Sequence, residues 1–265
     1  MIDQRPIVVS FSGGKSSAMM CDLLETLPEY RDRVKHYVFA NTGRELPATI
    51  SFMRWWGKYL NREIVVIEAV VHHDERKSST HKVIRNLTSE LSMDGQPFEE
   101  VMKKYGLPSI TFLHCTRELK ANPIRSYIRQ ELGLNPGEYV QAIGMRFDEP
   151  RRVKQDPEFI YPLYEQRITK QDVNEFFAHP DRKNFTLDIE EFEGNCDFCF
   201  KKSWAKLEKM RAKHPTRIMW WTDMEDRYWE ESSESYRGHR MAYDLLQGKH
   251  RNDIDLPCHC LHSEL

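Results

Sequence analysis

"SFSGGKSSAMM", residues 10–20, follows the apolar run Ile7-Val8-Val9 and leads into a helical pattern. Gly13 and Gly14 allow backbone angles that turn successive amide groups toward one point. Ser12, Ser16 and Ser17 add hydroxyl donors, and the helix that follows presents its positive end to an anion. Lys15 supplies the counter-charge. A Gly-Gly pair alone would also suit an ordinary strand-to-helix turn. The stretch does not fit G-x-x-x-x-G-K-[ST], because its glycines abut the lysine and leave a loop too short to wrap a triphosphate in that manner.

Outward from the loop, short apolar runs alternate with helical patterns. "PIVVSF", "HYVFA", "EIVVIEAV" and "EYVQAIG" are brief, rich in Val, Ile and Tyr, and bounded by polar residues or glycine, which predicts buried strands. Met20, Leu23, Leu24 and Leu27 recur at helical spacing on one face of a helix that stops before Pro28. "LPATISFMRWWGKYL" repeats the pattern, and "TRELKANPIRSYIRQEL" carries a proline that restarts or bends its helix. Strand and helix in alternation predict an α/β fold, a mostly parallel sheet covered by helices on both faces. After a boundary near Gln166 the character changes, opening on a Thr169 to Asp172 capping box. The division is therefore 1–166, an α/β domain, and 167–265, a helical module carrying cysteines. The polar stretch "HHDERKSSTHK", 72–82, reads as a mobile loop over the site, with His72, His73 and His81 exposed.

A chain of 265 residues, 40% hydrophobic, can bury one sizeable core and a smaller second one. The net charge of −2 gives no global footprint for a polyanion partner, although Arg151-Arg152 and Lys201-Lys202 are local basic clusters. No cationic leader precedes a long apolar stretch, and no window approaches the ~20 apolar residues that span a bilayer, so a cytoplasmic location without a membrane is expected. In that reducing compartment the six cysteines read as metal ligands, nucleophiles or buried thiols, with Cys21 a small core residue in the first helix.

The loop resembles the S-G-G-K-[DS]-S signature of the PP-loop ATP pyrophosphatases, with Ser16 where most members have Asp. Three further stretches narrow the resemblance to the phosphoadenosine phosphosulfate reductase-like family: "FANTGRELPATISFM" at 39–53, "CTRELKANP" at 115–123 and "GMRFDEPRRV" at 144–153. The match spans most of residues 6–177. It implies an adenine nucleotide alpha hydrolase-like fold that binds ATP with Mg. The phosphates would lie at Ser10, Ser12, Gly13, Gly14, Lys15, Ser16 and Ser17. Further nucleotide contacts would come from the turn Asn41-Thr42-Gly43 and from Lys120, Gly144, Arg146 and Arg151. The four cations together would give bidentate and point-charge contacts to an anionic end. Either Asp148 or Glu149 is expected to orient Arg146, because an arginine fork needs a fixed partner to stay aimed.

Cys196 and Cys199 in "EGNCDFCFKKS" form a C-x-x-C turn, whose spacing lets two thiolates face one ion or cluster. Resemblance to the cluster-bearing adenylyl-sulfate reductases adds Cys115, matched with His114 to their Cys-Cys pair, around a [4Fe-4S] cluster facing the nucleotide. The fourth position could be taken by His114, Cys258 or exogenous sulfide. The alternative is zinc on Cys196, Cys199, Cys258 and Cys260. The tail "PCHCLH" weakly resembles the reductases' Glu-Cys-Gly-x-His ending, which would make Cys260 a nucleophile, its thiol favoured as thiolate by a nearby imidazolium. A terminus without function is the competing reading. In "RIMWWTDMEDRYWE", Trp220, Trp221 and Trp229 are expected to pack the second module over the sheet, and Glu225 and Asp226 to be solvated.

Three function classes follow. The first is ATP-dependent adenylation or sulfur transfer to a nucleic-acid or small-molecule acceptor, with Lys15 and the loop amides holding pyrophosphate. The second is reduction of adenylyl sulfate or its 3′-phosphorylated form, with Cys260 attacking. The third is a non-enzymatic nucleotide- or nucleic-acid-binding protein with structural zinc. The intact SGGK motif favours the first, because a sulfonucleotide has no pyrophosphate for Lys15 to neutralise. A homodimer is left open.

Overall fold

A computed structural model describes residues 3–109, 112–180, 182, 187–229 and 240–249. Its six strands are β1 (Ile7–Ser10), β2 (Lys35–Asn41), β3 (Ile64–Val70), β4 (Thr80–Ile84), β5 (Val140–Ala142) and β6 (Phe159–Ile160), in the order β4-β3-β2-β1-β5-β6. All neighbours are parallel except β3 and β4. The expected α/β class is therefore the observed one, a mostly parallel sheet with helices packed against it. The chain runs outward from β1 to β2 and β3, then returns to the other side of β1 with β5. This reversal opens a crevice at the carboxyl ends of β1 and β5.

The helices are α1 (Lys15–Thr26), α2 (Pro28–Arg31), α3 (Pro47–Leu60), α4 (Gln96–Tyr105), α5 (His114–Thr116), α6 (Asn122–Gln130), α7 (Pro162–Glu165), α8 (Lys170–Ala178), α9 (Trp204–Lys213), α10 (Arg217–Tyr228) and α11 (Met241–Leu246). A π-helical segment, Arg117–Ala121, joins α5 to α6. The break expected from "ANP" takes this form because Pro123 has no N–H to offer the preceding turn, and one extra residue absorbs the defect. The Thr169 to Asp172 capping box starts α8 as read from the sequence. Among the described residues, no helix is long and apolar enough to cross a membrane.

Two principal cores form, and neither stops at residue 166. The first joins Ile7, Leu24 and Trp56 to Leu163, Val173, Phe177 and Leu187. The second joins Phe98, Val101 and Leu119 to Phe192, Trp204, Trp221 and Leu245. The indole of Trp221 is buried and meets Phe98 of α4 edge-on, with ring centroids 5.3 Å apart. The tryptophans thus pack the later helices on α4 rather than directly over the sheet. Cys21 is fully buried in the first core, as expected.

Three expectations are corrected. Residues 80–82 belong to β4, an edge strand, and the Lys104 ammonium donates to the carbonyls of His72 (2.6 Å), Glu75 (3.0 Å) and Lys77 (2.8 Å), so the 72–79 connection is tied down. None of its residues lines the main cleft. The His81 side chain is buried against Tyr127, with Nδ1 2.9 Å from Ser126 Oγ. Glu225 is fully buried and accepts from the Ala242 (2.8 Å) and Tyr243 (2.9 Å) amides at the start of α11.

Burial pushes the Glu225 carboxyl up to about 7. A carboxyl raised on folding contributes stability in full below its unfolded value of 4.5, and that contribution is lost as pH rises toward 7. The loss is on the order of 3 kcal/mol. Glu225→Gln is expected to remove this slope, so the stability difference between wild type and variant should change across pH 4.5–7 in urea titrations. Parallel curves for the two proteins would contradict it.

Candidate functional site

A cleft of about 930 Å³ opens at the carboxyl edge of the sheet. One wall is the Ser12 to Ser16 loop, a second is 143–152 after β5, and a third is 187–195 from the second half of the chain. The cleft therefore lies at the strand ends, lined by residues of both halves of the chain.

The loop is shaped by close approach. Gly13 adopts φ +76°, and Gly14 starts α1 with no side chain capping the first turn. A Cβ on Gly144 would lie 3.1 Å from Ser17 Cα and 3.2 Å from Ser17 N, so the loop after β5 can touch the start of α1 only at a glycine. Ser17 itself turns inward: its hydroxyl donates to the Gly14 carbonyl (2.8 Å) and accepts from the Ser12 hydroxyl (3.0 Å) and amide (3.3 Å). It braces the loop and does not line the cleft.

Arg146 lies as expected. Its Nε donates to Asp148 Oδ1 at 2.9 Å, and an Nη donates to Ser16 Oγ at 3.1 Å. Glu149 accepts from the Arg146 amide and pairs with Arg152. Arg151, Arg152 and Lys170 complete a cationic rim, partly offset by Glu190 and by Glu191, which pairs with Lys170 at 2.7 Å.

The structure gathers Ser10, Ser12, Gly13, Gly14, Lys15, Ser16, Lys120, Gly144, Arg146 and Arg151 around the cleft. It leaves out Asn41, Thr42 and Gly43. Asn41 is spent on internal contacts, its amide donating to Glu68 Oε1 (2.7 Å) and the Ser92 carbonyl (2.8 Å). Gly43 packs against Gly95 and Pro97. Thr42 faces elsewhere, with its hydroxyl 3.3 Å from Cys196 Sγ.

That contact belongs to a second, small cavity of about 30 Å³, which Cys115, Cys196 and Cys199 line together. All three are free thiols. Burial raises Cys115 to about 12 and Cys196 to about 11, and the neighbouring cysteines add to the rise. Lys120 works against it. Burial alone would lower the Lys120 ammonium, yet Cys196, Glu45, Cys199 and Cys115 together hold it above its ordinary value. Lys201 and Lys202 bring further positive charge to the same thiols. Lys120 and Asn195 line both this cavity and the large cleft.

One of the proposed ligands does not line that cavity. His114 is buried and packs on Tyr105 and Phe112, away from the cysteine cavity, and burial lowers its imidazole to about 4. Cys258 and Cys260 lie outside the described residues. Among the described residues, no three His, Cys, Asp or Glu side chains close on a single ion.

Glu45 was not singled out from the sequence. It lines the cleft, is buried, and accepts from the Thr42 amide (3.0 Å) and hydroxyl (2.9 Å), while burial raises its carboxyl. Its place in "NTGREL" next to the Gly turn was the available signal. Asp197, inside the C-x-x-C turn, was also missed, because its partners lie far along the chain.

No family model matches the chain. The U34-tRNA thiolase NcsA from Methanococcus maripaludis, solved with its [4Fe-4S] cluster, aligns over 93% of this chain and 71% of that one, at 14% identity and a TM-score of 0.38, too slight a likeness to carry an argument. The uncharacterized nin region protein ORF290 of Escherichia phage lambda is 34% identical over 201 residues, 76% of this chain and 67% of that protein. With identity sustained over two thirds of the relative, the chain belongs to the family of the phage lambda nin region protein ORF290.

Proposed function

We propose that this protein is a PP-loop enzyme that uses ATP to adenylate an acceptor oxygen and delivers sulfur, from the side of the cysteine cavity, to the carbon that bears this oxygen. One observation carries the proposal: Lys120 and Asn195 form a shared wall between the cleft at the SGGK loop and the cavity of the three thiols. Nucleotide and sulfur chemistry would then meet at one place.

In this scheme the loop and Lys15 hold the pyrophosphate end of ATP, with the positive end of α1 behind them. Arg146, aimed by Asp148, fixes a phosphoryl oxygen from the opposite wall. The acceptor oxygen attacks the α-phosphate and pyrophosphate departs. A sulfide-level nucleophile then replaces the resulting phosphoester oxygen, and AMP leaves with the bonding pair, so no net oxidation occurs. Lys120 would screen negative charge on both sides of the shared wall.

Three cysteine thiolates are the donor type an iron–sulfur cluster takes. Three free cysteines share one cavity, and the Lys120 ammonium opposes the rise that burial gives their thiols. Cys115, Cys196 and Cys199 would hold a [4Fe-4S] cluster, which when bound supplies a site for exchangeable sulfur. The alternative, zinc on Cys196, Cys199, Cys258 and Cys260, has two of its four ligands outside the described residues.

Anaerobic purification followed by iron, sulfide and zinc quantification tests the proposal. Iron and sulfide in cluster stoichiometry, with a visible absorption that bleaches on reduction, are expected. Stoichiometric zinc without iron would leave a zinc-stabilised nucleotide-binding enzyme instead.

A further inference from the structure

We infer that Asp197, the residue after the first cysteine of the C-x-x-C turn, is a positioning residue that sets the cysteine turn against the loop after β2. The inference rests on the proposal that Cys115, Cys196 and Cys199 act together.

Asp197 is fully buried, and its carboxylate has four donors. Oδ1 accepts from Arg44 Nε (3.1 Å) and Trp221 Nε1 (2.9 Å), and Oδ2 accepts from Arg44 Nη2 (2.6 Å) and Arg217 Nε (2.5 Å). Four donors fill the lone-pair positions of an ionised carboxylate. The Asp197 amide donates back to the Arg44 carbonyl at 3.1 Å. Arg44 and Arg217 are also linked, since Arg44 Nη2 donates to the Arg217 carbonyl (3.2 Å) and Arg217 Nη2 to the Glu45 carbonyl (3.1 Å). One carboxylate thus ties together the 42–45 loop, the cysteine turn and the start of α10.

The turn it holds would not keep its shape unaided. Asn195 (φ +64°) and Phe198 (φ +43°) both occupy the left-handed region, which side chains other than glycine adopt at a cost. The Lys202 ammonium adds a brace by donating to the carbonyls of Gly194 and Cys196. Phe198 is fully buried, so its ring anchors the same turn in the second core. With Cys196 and Cys199 on either side of Asp197, fixing its carboxylate fixes the direction of both thiols. The Arg44 fork presses on Trp220 at 4.6 Å from the ring centroid, which limits any pivot of the clamp.

The test uses Asp197→Asn in the full chain, with Arg217→Lys as a second variant that removes the guanidinium donor to Asp197 Oδ2 from outside the cysteine cavity. Metal-free protein is alkylated with iodoacetamide, and the rate at each cysteine is read by mass spectrometry. Asp197→Asn is expected to speed alkylation of Cys196 and Cys199 at least tenfold, with Cys21 unchanged and ATP affinity within twofold of wild type. Arg217→Lys should give a smaller rise at the same two cysteines. After anaerobic reconstitution, Asp197→Asn should retain less than a third of the wild-type iron, with an altered visible spectrum. Unchanged alkylation at Cys196 and Cys199 in both variants would overturn the inference. If Asp197→Asn does not fold, Arg217→Lys alone decides. If wild-type protein binds neither iron nor zinc, the proposed function fails, while the alkylation contrast still decides whether Asp197 positions the turn.

Discussion

Lys15→Ala is expected to weaken ATP binding by about one to two orders of magnitude, the loss of one charge-assisted contact worth about 1.5–3 kcal/mol. Lys15 is the first residue of α1 and lines the cleft at the SGGK loop, with Nζ 6.0 Å from the centre of the Phe177 ring. A cation at a helix N-terminus opposes the macrodipole, so the lysine costs the free protein a few tenths of a kcal/mol to about 1 kcal/mol. The substitution should therefore leave thermal stability equal or slightly raised while affinity falls. Calorimetric titration with ATP, alongside unfolding curves, separates the two effects. Equal affinity in wild type and variant would remove the assignment of this loop to phosphate.

Gly13→Ala should have the larger effect on stability. Its φ of +76° already disfavours any side chain, and a Cβ there would lie 2.5 Å from Thr49 Cγ2 and 3.1 Å from the Phe39 ring. Thr49 belongs to α3 and Phe39 to β2, so relief requires the loop itself to move. Strain and overpacking together are expected to cost about 2–4 kcal/mol. Gly133 supplies the control, with φ +68° and nothing within 4 Å of the added carbon. Gly133→Ala should cost only the conformational part, about 1 kcal/mol. Similar unfolding midpoints for the two variants would mean that the space behind Gly13 yields easily.

What could be read from the sequence was whatever depended on near neighbours. The Val and Ile runs of β1, β2 and β3, the Gly-Gly turn, the Thr169 to Asp172 cap and the stripe of α1 are all set within a few residues, and they appear as expected. Arg146 and Asp148 are two positions apart, so their pairing was also accessible. The features that were missed depend on distant partners. β4 looks polar because it is an edge strand with only one paired neighbour, and His81 is buried by residues of α6. Glu225 is buried by α11, and Asp197 by Arg44, 153 positions earlier. The turn 41–43 has the residues of a contact loop, yet the side chains of Asn41 and Thr42 are committed to Glu68, Ser92, Glu45 and Cys196. Nothing in the local pattern distinguishes a side chain that reaches into a cleft from one that braces it.

The composition of the first core bears on how the nascent chain is made. Trp56 meets the Phe177 ring at 5.5 Å, a partner about 120 residues downstream. At about 5–20 residues per second, that stretch takes the ribosome roughly 6–24 s, far longer than chain collapse. Throughout that interval Phe52, Trp56 and the apolar face of α1 are on the growing chain without the α8 residues that cover them. The emerging sheet thus carries uncovered aromatic surface until residue 177 has left the exit tunnel.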